Sequence, residues 1–214
     1  LTANADGIDI PQDITVNGVT VGKGSSSGDF NTVVGESAMP SSSSASGATA
    51  IGYKAAFRTT DQGTITAVGY QAVMTNTEGY YLTGIGAGAL TLNTLGFGNT
   101  ATGYSSLARN TEGDNNTALG KQALFTNTIG NNNTAIGSNA GKAGIDANQN
   151  VAVGSGALTN NLQSNMTAVG YLALSVNENG IENTATGAYA LQNTTGSYNT
   201  AIGKGALNKN TGNS

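Results

Sequence analysis

The sequence predicts an all-β fold, a parallel β-solenoid of about eleven coils of 16–17 residues. Three observations carry this. First, a tetrapeptide of the form Thr-Ala-aliphatic-Gly recurs with its glycine at 35, 52, 69, 86, 103, 120, 137, 154, 170, 187 and 203 of the 214-residue chain. The intervals are 17 seven times, then 16, 17 and 16, a regularity that chance does not produce. Second, a unit of this length is too short for a helix pair, and its apolar positions follow no helical period. Third, about one residue in four is Asn or Thr and 32 are Gly, a composition that disfavours helix interiors and favours strands, turns and side-chain ladders.

Each coil is built from the same parts. The clearest copies are Asn116-Thr117-Ala118-Leu119-Gly120, Asn133-Thr134-Ala135-Ile136-Gly137 and Asn199-Thr200-Ala201-Ile202-Gly203. A small-large apolar pair follows the glycine, as in Ala89-Leu90, Ala123-Leu124, Ala157-Leu158, Ala173-Leu174, Ala190-Leu191 and Ala206-Leu207. Polar turn residues with a further glycine come next, as in Asn127-Thr128-Ile129-Gly130 and Asn193-Thr194-Thr195-Gly196; Gly and Asn suit such turns because they tolerate positive φ. Two or three short strands per coil, stacked at about 4.8 Å, fit this pattern.

Alternation along the first strand places Thr117 and Leu119 on one face, Ala118 and Gly120 on the other. The Thr-aliphatic face is expected to pack within the coil. The Ala-Gly face is then smooth enough for close approach of another backbone. One large aliphatic residue, one Leu and two Ala per coil are too little apolar surface to offset the ordering of 17 residues. An obligate homo-oligomer with the small faces pressed together on an axis is therefore expected.

Residues 1–28 differ from the array at 29–214 and form a separate N-terminal segment. Ile14-Thr15-Val16, Asn17-Gly18 and Val19-Thr20-Val21 predict a hairpin, since Asn-Gly suits the type I′ turn. Gly22 to Gly28 reads as a flexible link, and Ser41 to Gly47 as a loop bulging between the first two coils. The chain opens on Leu1 and closes inside a repeat, so a longer protein with flanking caps is expected.

The asparagine-threonine-alanine-aliphatic-glycine coils followed by alanine-leucine resemble the head repeats of haemagglutinin-type trimeric autotransporter adhesins. They resemble the repeat shafts of bacteriophage tail fibres more closely, where an opening like Asp13-Ile14-Thr15-Val16-Asn17-Gly18-Val19-Thr20-Val21-Gly22-Lys23-Gly24 precedes the array. The resemblance implies a left-handed β-roll, three chains around one axis, and a place on a virion or cell surface, either as a tail-fibre shaft among other tail or fibre proteins that supports host adsorption or, alternatively, as an adhesin head that binds host matrix or glycan. Adhesin heads keep a shorter coil of about 14 residues, so the spacing favours the fibre. Looser packing is expected where the apolar pair departs, at Ala55-Ala56, Ser106-Leu107 and Ala140-Gly141.

Several function classes are disfavoured. With no Cys and no His there is no thiol nucleophile or imidazole base, and the seven Asp and five Glu are dispersed, so neither an enzyme nor a metal site is expected, nor any cofactor. Eight scattered Lys and Arg against a net charge of -4 give no nucleic-acid surface, and no apolar stretch is long enough for membrane insertion. Gly84-Ile85-Gly86-Ala87-Gly88-Ala89 matches a loose dinucleotide fingerprint, but it sits in phase with the other coils and opens no helix. The Thr row suggests ice binding, which the expected burial of its aliphatic neighbours opposes. Tyr53, Tyr70, Tyr104 and Tyr171 follow the coil glycine and are the candidate binding residues, an outer aromatic ladder suited to a host surface glycan.

Overall fold

The computed structural model describes residues 2–4, 7–9, 13–23, 30–40, 45–60, 64–144, 146–177 and 179–212. The expected link at 22–28 and loop at 41–47 fall largely outside them. Nineteen strands and no helix are present among the described residues. In chain order they are β1 (Thr2–Asn4), β2 (Gly7–Asp9), β3 (Ile14–Val16), β4 (Val19–Gly22), β5 (Thr32–Val34), β6 (Thr49–Ile51), β7 (Ile65–Val68), β8 (Leu82–Ile85), β9 (Thr100–Thr102) and β10 (Thr117–Leu119). Then follow β11 (Thr134–Ile136), β12 (Val151–Val153), β13 (Asn160–Asn161), β14 (Thr167–Val169), β15 (Val176–Asn177), β16 (Thr184–Thr186), β17 (Asn193–Thr194), β18 (Thr200–Ile202) and β19 (Lys209–Asn210).

The repeat tetrapeptide supplies one parallel strand per coil, and these strands stack from β5 to β18 in a single sheet. Register is in phase with the repeat: Thr117 pairs with Thr134, Ala118 with Ala135 and Leu119 with Ile136. The chain is a parallel β-solenoid of about ten turns. The other sides of each coil are turns rather than further strands. Among the described residues, only the C-terminal coils add a further sheet, of the two-residue strands β13, β15, β17 and β19.

The hairpin forms as its turn residues require. β3 and β4 pair antiparallel through Asn17 (φ 50°) and Gly18 (φ 81°), both left-handed as type I′ demands. β4 then pairs antiparallel with β5, so the hairpin extends the solenoid sheet and covers the edge of its first coil strand.

The two faces of the coil strand are reversed from the expectation. Ala50, Ala67, Ala101, Ala118, Ala135, Ala168 and Ala185 are buried inside the coil, whereas Ile85, Leu119 and Ile136 are exposed. The interior is narrow: the strand Ala, the Ala-Leu pair and asparagine side chains fill most coils, and where a second large apolar residue is buried, at Ile65, Leu82 and Met166, it takes the place of the asparagine before the strand. At β8, Gly84 replaces the strand Ala, and a Cβ there would stand 2.6 Å from Val73 Cγ2.

The coil glycine does not belong to the strand face at all. At all eleven positions φ lies between 121° and 141°, which turns the chain out of the strand. A Cβ on Gly120 would meet the carbonyl oxygen of Gly137 at 2.6 Å. The close backbone approach inferred from the sequence therefore exists, but between successive coils of one chain. It does not supply a subunit axis.

Leucine in the left-handed region is the least expected local feature. Leu90, Leu107, Leu124, Leu158, Leu174 and Leu191 have φ between 46° and 51°, and all six are buried. That conformation costs roughly 1–2 kcal/mol for a side-chain-bearing residue. Burying a leucine returns about 1.5–3 kcal/mol, so the core outweighs the backbone preference.

Two ladders of buried asparagine complete the interior. In the residue before the strand, Asn99 Nδ2 donates to Gly113 O at 2.7 Å and Asn99 Oδ1 accepts from Asn116 N at 2.9 Å; Asn116, Asn133 and Asn150 repeat the scheme. In the turn after the Ala-Leu pair, Asn93 donates to Asn76 Oδ1, Asn110 to Asn93 Oδ1 and Asn127 to Asn110 Oδ1, at 2.8–2.9 Å. A buried amide is tolerated here because the coil above and the coil below satisfy it.

Candidate functional site

The sheet presents its Thr-aliphatic face outward. Thr100, Thr117 and Thr200 are exposed on it, beside a parallel row containing Ile51, Ile85, Leu119, Ile136, Val169 and Ile202. In that second row exposure runs from 37% at Val169 to 77% at Ile202, the strand at the sheet edge. An apolar row on a parallel sheet, interrupted here at Thr102 and Thr186, is the kind of surface that folded chains cover by association.

The four sequence-selected tyrosines are exposed along one corner, immediately after the coil glycine. They do not form one ladder. Tyr53 and Tyr70 stack with centroids 5.5 Å apart and planes at 18°, and Lys54 Nζ lies 5.2 Å from the Tyr53 centroid. Ala87 then occupies the equivalent place, so Tyr104 stands two coils beyond Tyr70. Tyr171 instead meets Tyr189 edge-on at 5.3 Å. The structure therefore assembles one stacked pair from the four.

A second aromatic group lies at the entry to the strand. Tyr80 and Phe97 are stacked at 5.1 Å with planes at 4°, and Tyr81 packs edge-on to Tyr80 at 5.0 Å. The signal was in the repeat: the place of Tyr80 and Phe97 holds Asp114, Asn131 and Asn148 in the following coils. No one residue type marks it, and only alignment by coil reveals the substitution.

Among the described residues no three His, Cys, Asp or Glu side chains come together as metal ligands. No helix is long and apolar enough to cross a membrane. Internally, the site of interest is a gap. Gly141 stands where other coils place the buried Leu, and Gly144 where they place the turn Asn. A cavity of about 10 Å³ results, lined by Leu124, Leu158, Asn133, Asn150 and Asn161 among others. By contrast Ser106, at another departure from the repeat, is buried and donates to Gly103 O at 3.0 Å.

Comparison of the chain with family models, with curated proteins and with solved structures returned no match.

Proposed function

We propose that this chain is a non-enzymatic structural protein, the shaft of a homotrimeric bacteriophage tail fibre that spaces or presents a host-attachment end on the virion. The observation that supports it most is the outward Thr-aliphatic row, which runs along the coil strands and is left open in a single chain. Three such rows facing a common axis would bury it along the whole rod. The stacked coils and their asparagine ladders would supply stiffness, and the β3–β4 hairpin would join the shaft to what precedes it.

The association face in this proposal is the Thr-aliphatic row, not the Ala-Gly surface that the sequence suggested. Introducing charge on the row tests it directly. Leu119→Lys combined with Ile136→Lys is expected to lower the solution mass while the fold of each coil, whose interior is untouched, persists. A variant that keeps the parent mass contradicts the assignment of that face.

The same open Thr row also revives ice binding, since its aliphatic neighbours are not buried inside the coil. Association and ice binding need one surface, so a trimer without thermal hysteresis supports the shaft and a monomer with hysteresis supports the other function. Glycan contact at the tyrosine corner is a finer part of the proposal, now restricted to Tyr53 and Tyr70. Replacing both by Ala, with fold retained and host adsorption unchanged, would remove it.

A further inference from the structure

The place occupied by Tyr80 and Phe97 has a structural duty in the neighbouring coils. Its side chain accepts a hydrogen bond from the backbone N–H of the same place one coil earlier. Asp114 Oδ1 accepts from Phe97 N at 2.9 Å, Asn131 Oδ1 from Asp114 N at 2.6 Å, Asn148 Oδ1 from Asn131 N at 2.7 Å, and Ser164 Oγ from Asn148 N at 2.9 Å. Further along, Ser197 Oγ does the same for Ile181 N at 3.1 Å. A phenylalanine ring has no such acceptor to offer Tyr80 N–H. Here the sequence abandons a bond that the fold uses repeatedly and installs a flat aromatic surface instead. Local departures of this kind are expected at functional or strained positions.

The surroundings suit a particular ligand. Tyr80 and Tyr81 are 36% and 65% exposed, so the rings present area to solvent rather than filling a core. Gly98 holds the place of Tyr81 in the next coil and Asn115 the one after it. Asn115 Oδ1 lies where a side chain on Gly98 would begin, so its amide covers the glycine that follows Phe97. Asp114 commits Oδ1 to the Phe97 N–H, which leaves Oδ2 for a ligand hydroxyl. A π face takes the C–H side of a pyranose ring, while an amide and a carboxylate take its hydroxyls. The carboxylate opposes a phosphate or an anionic headgroup.

We propose that Tyr80, Tyr81 and Phe97, with Asn115 and Asp114, form a carbohydrate-binding subsite on the side of the solenoid. It is distinct from the Tyr53–Tyr70 pair and does not depend on the shaft assignment. With no Trp in the chain, intrinsic emission reports tyrosine directly. The test titrates the full chain with dextran, chitotetraose, lactose and yeast mannan, following tyrosine emission and saturation transfer to sugar C–H protons.

Saturable binding of at least one probe is expected, and Phe97→Asn should weaken it at least about tenfold. Phe97→Asn places at this position the residue found at Asn131 and Asn148, restoring the missing acceptor, so lost binding will not reflect lost fold. Tyr198→Ala, a distant exposed tyrosine, should leave binding unchanged. The proposal is overturned if no probe binds at up to about 10 mM, or if Phe97→Asn binds as the parent does. It is equally overturned if that variant alters the solution mass and not sugar binding, because the rings would then be a protein contact. A monomeric parent that still binds sugar would refute the shaft and leave the subsite standing.

Discussion

The coils of β9 to β11 and the stretch from Gly141 to Asn161 share a backbone but not an interior. In the first, Leu107 and Leu124 stack inside the coil, and Asn93, Asn110 and Asn127 hand hydrogen bonds from one coil to the next at 2.8 Å. In the second, Gly141 and Gly144 remove a leucine and an asparagine from the same two stacks. Asn127 Oδ1 then keeps only a 3.5 Å contact from Asn133 Nδ2, where its predecessors receive a short bond from the next coil. Yet β11 pairs with β12 in unbroken register, and Gly137 stacks on Gly154 as Gly120 does on Gly137. The backbone ladder and the glycine column define the solenoid; the side-chain ladders set how strongly each coil resists opening.

The largest effect should fall on the feature both regions share. Gly120→Ala and Gly137→Ala each place a Cβ about 2.6 Å from the carbonyl of the next coil glycine at a φ above 130°. Each should cost about 3–5 kcal/mol, read from urea midpoints at fixed protein concentration. Equal losses support an interruption confined to the interior. A much smaller loss at Gly137 would show that the backbone stack is loosened there as well. Gly203→Ala meets nothing within 4 Å and should show conformational strain alone, about 1–3 kcal/mol.

Next in size, Asn110→Ala removes bonds to Asn93, Gly113 and Asn127 and should cost about 3 kcal/mol. Asn161→Ala, at the border of the gap, removes its bonds to Gln163 and Asn177 and should cost nearer 2 kcal/mol. Costs in the reverse order would break the comparison. Repair has the opposite sign: Gly144→Asn should raise stability by about 1 kcal/mol. Its Cβ has room, with Asn161 O at 3.4 Å. Adding Gly141→Leu should raise stability further only if Leu124 shifts, since Leu124 Cδ2 stands 2.9 Å from the new Cβ. Failure of both repairs would mean the cavity is not where stability is lost. The subtlest expected difference is in hydrogen exchange, with faster amide exchange at 141–144 than at 107–127.

What the sequence discloses here is what the repeat makes local. The coil length, the glycine column and the Asn17-Gly18 hairpin each follow from spacing or from one residue's backbone freedom, and the structure has all three. Which face of the strand points inward is not local. Alternation separates Thr117 and Leu119 from Ala118 without saying which side faces the coil, and the width of the interior decides it for alanine. The turn asparagines misled for a related reason. Asn127 looks like a surface turn residue until a neighbour one coil away supplies its partner. The aromatic group at Tyr80 and Phe97 escaped because its meaning lies in what it replaces.

In the proposed shaft, chains associate through the outward Thr-aliphatic row. Light scattering over a dilution series, with circular dichroism on the same samples, tests it most directly. A concentration-insensitive mass of three times the 21.2 kDa chain, with a β spectrum that Leu119→Lys and Ile136→Lys convert to a smaller species, is the expected result. A folded monomer at every concentration would contradict it.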